Sequence, residues 1–275
     1  MRFDTHAHIF KENVGIANAR YIPDYSVSKE DFIDNLESHS FNGGVLIQPS
    51  FLGHDNSLLL RAVEGDSRLR GVVVLPFNTN IDALQSYAKS GIVGVRLNLI
   101  GADINALIDS LSSSEAKSFF NSLQKLNWHV EVHREMRDID VVIESLLHFD
   151  IKVVIDHLGR PSIDKNGNDL CDEDSVGLEK LKALKTDDRL WFKVSGFYRF
   201  GGNEEQNLAL ARLVYTELLS TFGIDKFVFG SDFPHTNFES IVSYKNTLES
   251  FYKVVLNSKE REAILGENAK VLFGF

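Results

Sequence analysis

Cysteine is nearly absent from this chain of 275 residues. Cys171 is the single cysteine, so the chain cannot form an internal disulfide. A chain with one thiol fits a reducing compartment better than an oxidising one. No apolar run approaches the ~18 residues that a membrane-spanning helix needs, and a charged strand replaces the apolar start of a signal peptide. We therefore expect a cytoplasmic protein without a membrane span.

Positive charge is also scarce. The chain has 29 lysines and arginines against 39 aspartates and glutamates, and its net charge is −10. This balance argues against a general affinity for nucleic acids or membranes. It does not exclude a small anionic ligand, since a local cluster of arginines can outweigh the global charge. The sequence leaves open whether the protein is a monomer or a homo-oligomer.

Two ligand-binding signatures are missing as well. No Gly-x-Gly-x-x-Gly follows an early strand, so the usual dinucleotide motif of an open doubly wound sheet is absent. The polar segment Asp164–Asp169 has its glycine at the fourth position, whereas an EF-hand calcium loop needs it at the sixth. We expect this segment to be a solvated loop or a lid over an active site.

The chain does contain short apolar, β-branched runs that alternate with amphipathic helical stretches. Strands in such an alternation pair in parallel, and eight units close a barrel of roughly 250 residues. The predicted fold is therefore α/β, a (β/α)8 TIM barrel formed as a single domain by residues 1–275, with an open doubly wound sheet as the alternative. The predicted strands are Arg2–His6, Gly44–Gln48, Gly71–Leu75, Val93–Leu97, His129–His133, Lys152–His157, Trp191–Ser195 and Phe227–Ser231. The predicted helices follow a capping box at Ser28–Asp31 and a cap at Asn80, and cover Glu115–Leu126, Asp138–Phe149, Leu208–Phe222, Phe238–Leu256 and Lys259–Leu272.

Several histidines and one carboxylate fall at predicted strand ends, where parallel barrels collect their functional side chains. His6 and His8 lie two residues apart on the first strand and so project to the same face. His133 ends the fifth strand, His157 the sixth, and Asp232 follows the eighth. Neutral imidazoles with a hard carboxylate suit zinc or a similar divalent ion. Any one of these histidines taken alone is better explained as a hydrogen-bonded residue of the core or rim, and it is their joint placement at strand ends that favours a metal site.

Arginines are predicted to converge on the mouth of the same site. Arg96, Arg160 and Arg199 lie at or just beyond strand ends, and guanidinium groups bind carboxylates through two hydrogen bonds. Tyr198 and His235 could add hydrogen bonds to a substrate. The alternative for each arginine is an ion pair with a carboxylate of a loop.

Two further polar residues, Glu131 and Asp156, are expected to play structural roles inside the barrel. A buried Glu131 would need a cationic partner, either Lys193 or Arg96. Asp156 projects to the opposite side of its strand from His157, and we expect it to bond to neighbouring backbone.

These segments resemble motifs of the amidohydrolase superfamily. The similar segments are Asp4–His8, Gly94–Arg96, Asp156–Pro161, Lys193–Gly196 and Gly230–Pro234. The first and the last are shared across the superfamily. The Asp-His-Leu-Gly-Arg-Pro segment is similar to the amidohydrolase-2 group of lactonases, which includes 2-pyrone-4,6-dicarboxylate lactonases and sugar-acid lactonases.

The resemblance implies a hydrolase that opens a carboxylated or polyhydroxylated lactone. The fourth strand lacks the terminal lysine or glutamate that commonly bridges two metals in binuclear members, so we expect one metal at most. Metal-dependent relatives use a histidine at the end of the fifth strand, and His133 occupies that place here. A mononuclear site of the zinc type is therefore expected on His6, His8, His133 and Asp232, whereas the dicarboxylate lactonases imply a site that works without metal.

The predicted mechanism uses Asp232 as the general base for an attacking water, and His157 as a hydrogen-bond donor to the carbonyl oxygen. A bound metal would lower the pKa of the water and polarise the carbonyl, and without one the histidines would polarise it. Three alternatives remain: a metal-dependent decarboxylase of an aromatic acid, a barrel that binds a ligand without catalysis, and a nuclease of the TatD type. The nuclease is disfavoured by the missing carboxylate on the fourth strand and by the acidic charge balance.

Overall fold

Eight strands alternate with helices in the computed structural model, which describes residues 1–167 and 169–275. Asn168, in the predicted polar loop, lies outside the described residues. The strands are β1 Phe3–Ala7, β2 Gly43–Ile47, β3 Leu69–Val73, β4 Ile92–Asn98, β5 His129–His133, β6 Val153–Ile155, β7 Leu190–Val194 and β8 Phe227–Phe229. Each strand pairs in parallel with the next, in the order β1 to β8.

The last strand returns to the first. Thr5 Oγ1 donates to the carbonyl of Phe229 at 2.8 Å, and the backbone N–H of Asp232 donates to the carbonyl of His6 at 2.8 Å. A parallel bridge joins Ala7 to Phe233. The sheet therefore curls into the eight-stranded parallel barrel that the alternation predicts, and the (β/α)8 prediction is confirmed.

Eleven α-helices occur in the described residues and surround this barrel. They are α1 Lys29–Ser38, α2 Ser57–Val63, α3 Ile81–Lys89, α4 Ile104–Leu111, α5 Ser114–Lys125, α6 Ile139–Leu147, α7 Asp172–Ala183, α8 Glu204–Phe222, α9 Tyr244–Val254, α10 Ser258–Glu262 and α11 Asn268–Phe273. No helix in the described part of the chain is both long enough and apolar enough to cross a membrane.

Local signals place most of the helix starts. Ser28 Oγ accepts from the N–H of Asp31 while the Asp31 carboxylate accepts from the N–H of Ser28, which is the predicted capping box. Asn80 caps α3 by accepting from Ala83 N–H. The predicted helix at Phe238–Leu256 begins only at Tyr244, because Ser243 forms a capping box there. The predicted closing helix is divided by a π-helical turn at Ala263–Glu267, between α10 and α11.

The barrel interior is layered from apolar at the bottom to charged near the top. A small apolar cluster that includes Phe3, Val154, Trp191 and Val228 packs against α11 and fills the N-terminal end. Two residues beyond Val154 and Trp191, the inward-facing side chains become polar. These side chains belong to Asp156 and Lys193. This alternation carries ionisable side chains into the barrel directly beneath the strand ends.

Candidate active site

A pocket of about 490 Å³ opens at the C-terminal ends of the strands. Seven of the residues predicted for the site line it: His8, Arg96, His133, His157, Arg160, Arg199 and Asp232. His6 lies fully buried beside them. Among the described residues the pocket wall includes neither Tyr198 nor His235, so their hydrogen bonds to a substrate stay predictions. The structure brings the predicted arginines and histidines to one pocket, and their roles in it stay predictions.

His6, His8 and Asp232 bring two nitrogens and one oxygen close together. Asp232 Oδ1 lies 3.4 Å from His8 Nε2 and 3.7 Å from His6 Nε2. His8 Nδ1 lies 2.8 Å from the carbonyl of Ile47, which only accepts, so Nδ1 carries a proton and Nε2 is the nitrogen directed at Asp232. His6 Nε2 is buried without a hydrogen-bond partner in the described structure. The three ligand atoms lie within 4.8 Å of one another, so this group could hold a metal ion.

His133 lies apart from that group. Its ring is centred 5.3 Å from the ring of His157, and neither of its ring nitrogens has a hydrogen-bond partner among the described residues. A second group that could hold a metal consists of His6, Asp156 and His157, and it does not include His133 either. Burial, and then the charge of Arg96, lower the pKa of His133 well below its usual range. A role for His133 as a metal ligand therefore stays a prediction.

The second carboxylate oxygen of Asp232 is held by two donors. Tyr198 Oη donates to Oδ2 at 2.6 Å, and Arg199 Nε donates to it at 2.7 Å. Burial alone would raise the pKa of Asp232, but Arg199 and His157 outweigh it and hold this pKa well below the usual range. Asp232 is therefore an ionised carboxylate with one oxygen anchored and the other facing the histidines.

His157 lies on a left-handed turn that follows β6. The four residues from His157 to Arg160 have φ values of +54°, +53°, +82° and +52°, and this turn explains why the strand ends at Ile155, earlier than predicted. Nδ1 of His157 lies 2.8 Å from Ser195 Oγ. Gly196 makes this approach feasible, because a Cβ there would lie 2.6 Å from His157 Nδ1. Burial lowers the pKa of His157 to about 3, so its ring is neutral near pH 7.

Beneath the pocket, charged side chains form a buried layer. Lys193 Nζ lies 2.6 Å from Glu131 Oε1, which confirms the predicted partner of Glu131. The expectation that Asp156 bonds to backbone is wrong. Its Oδ2 takes two hydrogen-bond donors of Arg96, each at 2.8 Å, and its Oδ1 lies 3.4 Å from Lys193 Nζ. The reason is that Asp156 projects into the barrel, as Val154 does below it.

The three predicted arginines differ in how their charges are balanced. Arg96 is paired with Asp156 and Arg199 with Asp232, so the predicted alternative of ion pairing applies to both, although the carboxylates belong to the site. Arg160 has neither an ion pair nor a side-chain hydrogen bond among the described residues. Burial, and then repulsion from Arg199, lower the pKa of Arg160 to about 10, which leaves it charged at neutral pH.

Sequence reasoning missed two parts of the site. Arg20 and Tyr21 come from the loop after β1 and line the pocket. That loop has no periodic pattern that would have indicated where its side chains lie. The contact of Lys193 with His6, at 3.0 Å between Nζ and Nδ1, was also missed. The one available signal was that Lys193 lies two residues before Ser195 on the same strand, so that both side chains project to the same side.

The parallel barrel and the His/Asp site at its C-terminal face define a hydrolase of the amidohydrolase class. The family model Amidohydro_2, described as amidohydrolase, matches residues 3–275. The chain therefore belongs to this family, as its motifs predict.

Similar proteins include curated lactone hydrolases. A 2-pyrone-4,6-dicarboxylate hydrolase of Comamonas testosteroni is 26% identical over 286 residues, covering 98% of this chain and 89% of the relative. A 4-sulfomuconolactone hydrolase of Hydrogenophaga intermedia is 24% identical over 279 residues, covering 99% of this chain and 88% of the relative.

A solved structure is more similar still. The probable 2-pyrone-4,6-dicarboxylic acid hydrolase of Acinetobacter baumannii, with citric acid bound, is 36% identical with a TM-score of 0.90. The match covers 100% of this chain and 99% of that one. Other solved relatives between 12% and 19% identical, a dihydroxybenzoic acid decarboxylase among them, share the fold alone.

Proposed function

We propose that this protein hydrolyses a lactone that carries carboxylate or other acidic groups. The observation that carries the proposal is one pocket with two complementary parts. An ionised Asp232 faces histidine nitrogens at the floor, and the guanidinium of Arg160, which has no ion pair within the described part of the chain, lines the same pocket. A base close to an unbalanced positive charge suits hydrolysis of an anionic ester.

The relatives support the same substrate class. The names of the two curated relatives describe hydrolases of cyclic esters with carboxylate or sulfonate groups. The solved relative from Acinetobacter baumannii holds citric acid, a molecule with three carboxylic acid groups. The substrate that we propose is therefore a small anionic lactone, including sugar-acid lactones.

The proposed reaction begins when water attacks the lactone carbonyl and gives up a proton to Asp232. Negative charge then develops on the carbonyl oxygen, and His157 donates a hydrogen bond to it from Nε2, a tautomer that a hydrogen bond from Ser195 Oγ to Nδ1 would fix. When the ring C–O bond breaks, Asp232 returns the proton to the leaving oxygen. Tyr198 and Arg199 hold the carboxylate in place through Oδ2 throughout.

Zinc is the metal that we propose for this site. His6, His8 and Asp232 form a nitrogen and oxygen donor set of the kind that zinc prefers, and His133 is the proposed fourth ligand. When bound, zinc would supply a Lewis acid that polarises the carbonyl and lowers the pKa of the attacking water. A cytoplasmic location belongs to the same proposal, in keeping with the single thiol of Cys171.

Replacement of Asp232 tests the proposed reaction. Asp232→Asn keeps the shape of the side chain and removes its basicity, so kcat for ring opening should fall by about 10²–10⁴-fold. The assay follows the loss of absorbance as an unsaturated lactone opens, over a panel that includes 2-pyrone-4,6-dicarboxylate, 4-sulfomuconolactone and uncharged lactones. Circular dichroism and thermal unfolding of the variant serve as the control for folding.

Two results would contradict the proposal. Near-full hydrolysis by Asp232→Asn would remove Asp232 as the base. Release of carbon dioxide from an aromatic acid, without ring opening of any lactone, would select the alternative decarboxylase.

A further inference from the structure

The buried lysine at the floor of the barrel contacts a site histidine from behind. Lys193 is fully buried on β7, and its Nζ lies 3.0 Å from His6 Nδ1. The same Nζ lies 2.6 Å from Glu131 Oε1 and 3.4 Å from Asp156 Oδ1. Lys193 is thus ion-paired with two carboxylates.

An ammonium group has donors only, and this fact determines which nitrogen of His6 bears the proton. A proton on Nδ1 would face the ammonium at 3.0 Å, and its possible acceptor, Asp156 Oδ1, lies farther away at 3.4 Å. Nδ1 is therefore the acceptor, and the proton is on Nε2.

We propose that Lys193 is a positioning residue that fixes His6 as the Nε2–H tautomer, so that His6 presents a hydrogen-bond donor to the pocket floor. His8 is held differently, because its Nδ1 donates to the carbonyl of Ile47. Two histidines that look equivalent in the sequence thus have different partners, a lysine for His6 and a backbone carbonyl for His8.

This arrangement has consequences for what His6 binds. Its Nε2 has no hydrogen-bond partner among the described residues, and it lies 3.7 Å from Asp232 Oδ1. The donor is therefore available to an oxygen atom in the pocket. Under the proposed function, that atom is the lactone carbonyl oxygen. This step alone rests on the proposed function.

The same proton opposes a metal. Zinc binds a ring nitrogen through its lone pair, so binding at His6 Nε2 requires the proton to move to Nδ1, against the ammonium of Lys193. A metal-ligating histidine usually donates its other N–H to a carboxylate or a carbonyl, as His8 does to Ile47. Lys193 should consequently weaken zinc binding at the site that we propose for it.

The test measures the His6 tautomer and the zinc affinity, both without substrate. Nitrogen NMR of protein labelled with ¹⁵N-histidine distinguishes protonated from unprotonated ring nitrogens, and His6→Gln identifies the signals of His6. Zinc affinity is measured by competition with a chelator of known affinity. The variant pair is Lys193→Met combined with Glu131→Gln, which removes the ammonium together with its counter-charge. Glu131→Gln alone is the matched control, because it keeps the contact between Lys193 and His6.

We expect His6 to be protonated on Nε2 in the wild type and in Glu131→Gln. In the double variant the proton should move to Nδ1 and donate to Asp156, and zinc affinity should rise by about 10–100-fold, the size of effect that partners of metal ligands usually have. A wild-type spectrum with Nδ1 protonated would overturn the proposal, and that spectrum decides the matter even if the double variant does not fold. Equal zinc affinities in the double variant and the control would overturn it too. A protein with the Nε2–H tautomer and no lactonase activity would refute the proposed function while leaving the role of Lys193 intact.

Discussion

Gly196 provides a sharp test of how the site is built, because its replacement by alanine should harm both folding and catalysis. The residue has φ of +65°, where a side chain costs about 1–2 kcal/mol. A Cβ there would also lie 2.6 Å from His157 Nδ1, so the His157 ring must move away from Ser195. Loss of that hydrogen bond adds about 1 kcal/mol. The free energy of unfolding of Gly196→Ala should therefore fall by about 2–3 kcal/mol.

Gly65→Ala is the matched control for this prediction. Gly65 has φ of +75°, and a Cβ there would meet no atom within 4 Å, so this variant incurs only the backbone cost of about 1–2 kcal/mol. Urea unfolding measures both variants. Ring-opening kinetics should show kcat lowered by about 10²–10³-fold in Gly196→Ala, the usual effect of a lost oxyanion donor, and unchanged in Gly65→Ala. If the two variants match each other in stability and both retain kcat, the argument for a glycine requirement beside His157 fails.

Two further predictions concern charge. Arg160→Met should raise KM for a dicarboxylated lactone by about 10–150-fold, the equivalent of about 1.5–3 kcal/mol for a hydrogen bond to a charged group. Its KM for an uncharged lactone should not change, and a uniform rise across the substrate panel would speak against a carboxylate contact. The second concerns His157, whose pKa of about 3 in the folded state lies below the ~6.5 of an unfolded histidine. The unfolded state therefore takes up the proton first as the pH falls below 6.5, and stability is lost in that window, by about 2 kcal/mol at pH 5. Urea unfolding at pH 7.5 and pH 5 should show a smaller loss for His157→Gln, and an equal loss would contradict the low pKa.

The barrel was predictable because its determinants are local. β-branched or aromatic residues occur in all eight strands, and the caps at Ser28 and Asn80 mark two helix starts. Where the observed bounds of a strand differ from the predicted ones, tertiary structure is the reason. β6 and β8 end earlier than predicted because the chain leaves the sheet so that His157 and Asp232, both with positive φ, point into the pocket.

The members of the site were predictable to a similar extent, but their partners were not. Strand ends locate His8, His157 and Asp232 in one pocket without any knowledge of the helices. The pair of Arg96 with Asp156 joins residues 60 apart, and the contact of Lys193 with His6 joins residues 187 apart. Such pairs form between side chains that point inward at the same level along the barrel axis. The alternation of side chains along a strand predicts which of them point inward, but it does not predict that level.

The charges around the pocket explain why an acidic chain suits an anionic substrate. Arg20, Arg96, Arg160 and Arg199 all line the pocket, and Asp232 and Asp156 each neutralise one of them. The lowered pKa values of His133 and His157 keep both rings uncharged, so they do not alter this balance. Of the four arginines, Arg20 and Arg160 are therefore left without a carboxylate partner among residues 1–167 and 169–275. Under the proposed function, a lactone with two anionic groups balances them and one with a single anionic group does not. A dianionic lactone should accordingly bind more tightly than its monoanionic analogue, and the difference should shrink as salt screens the exposed Arg20.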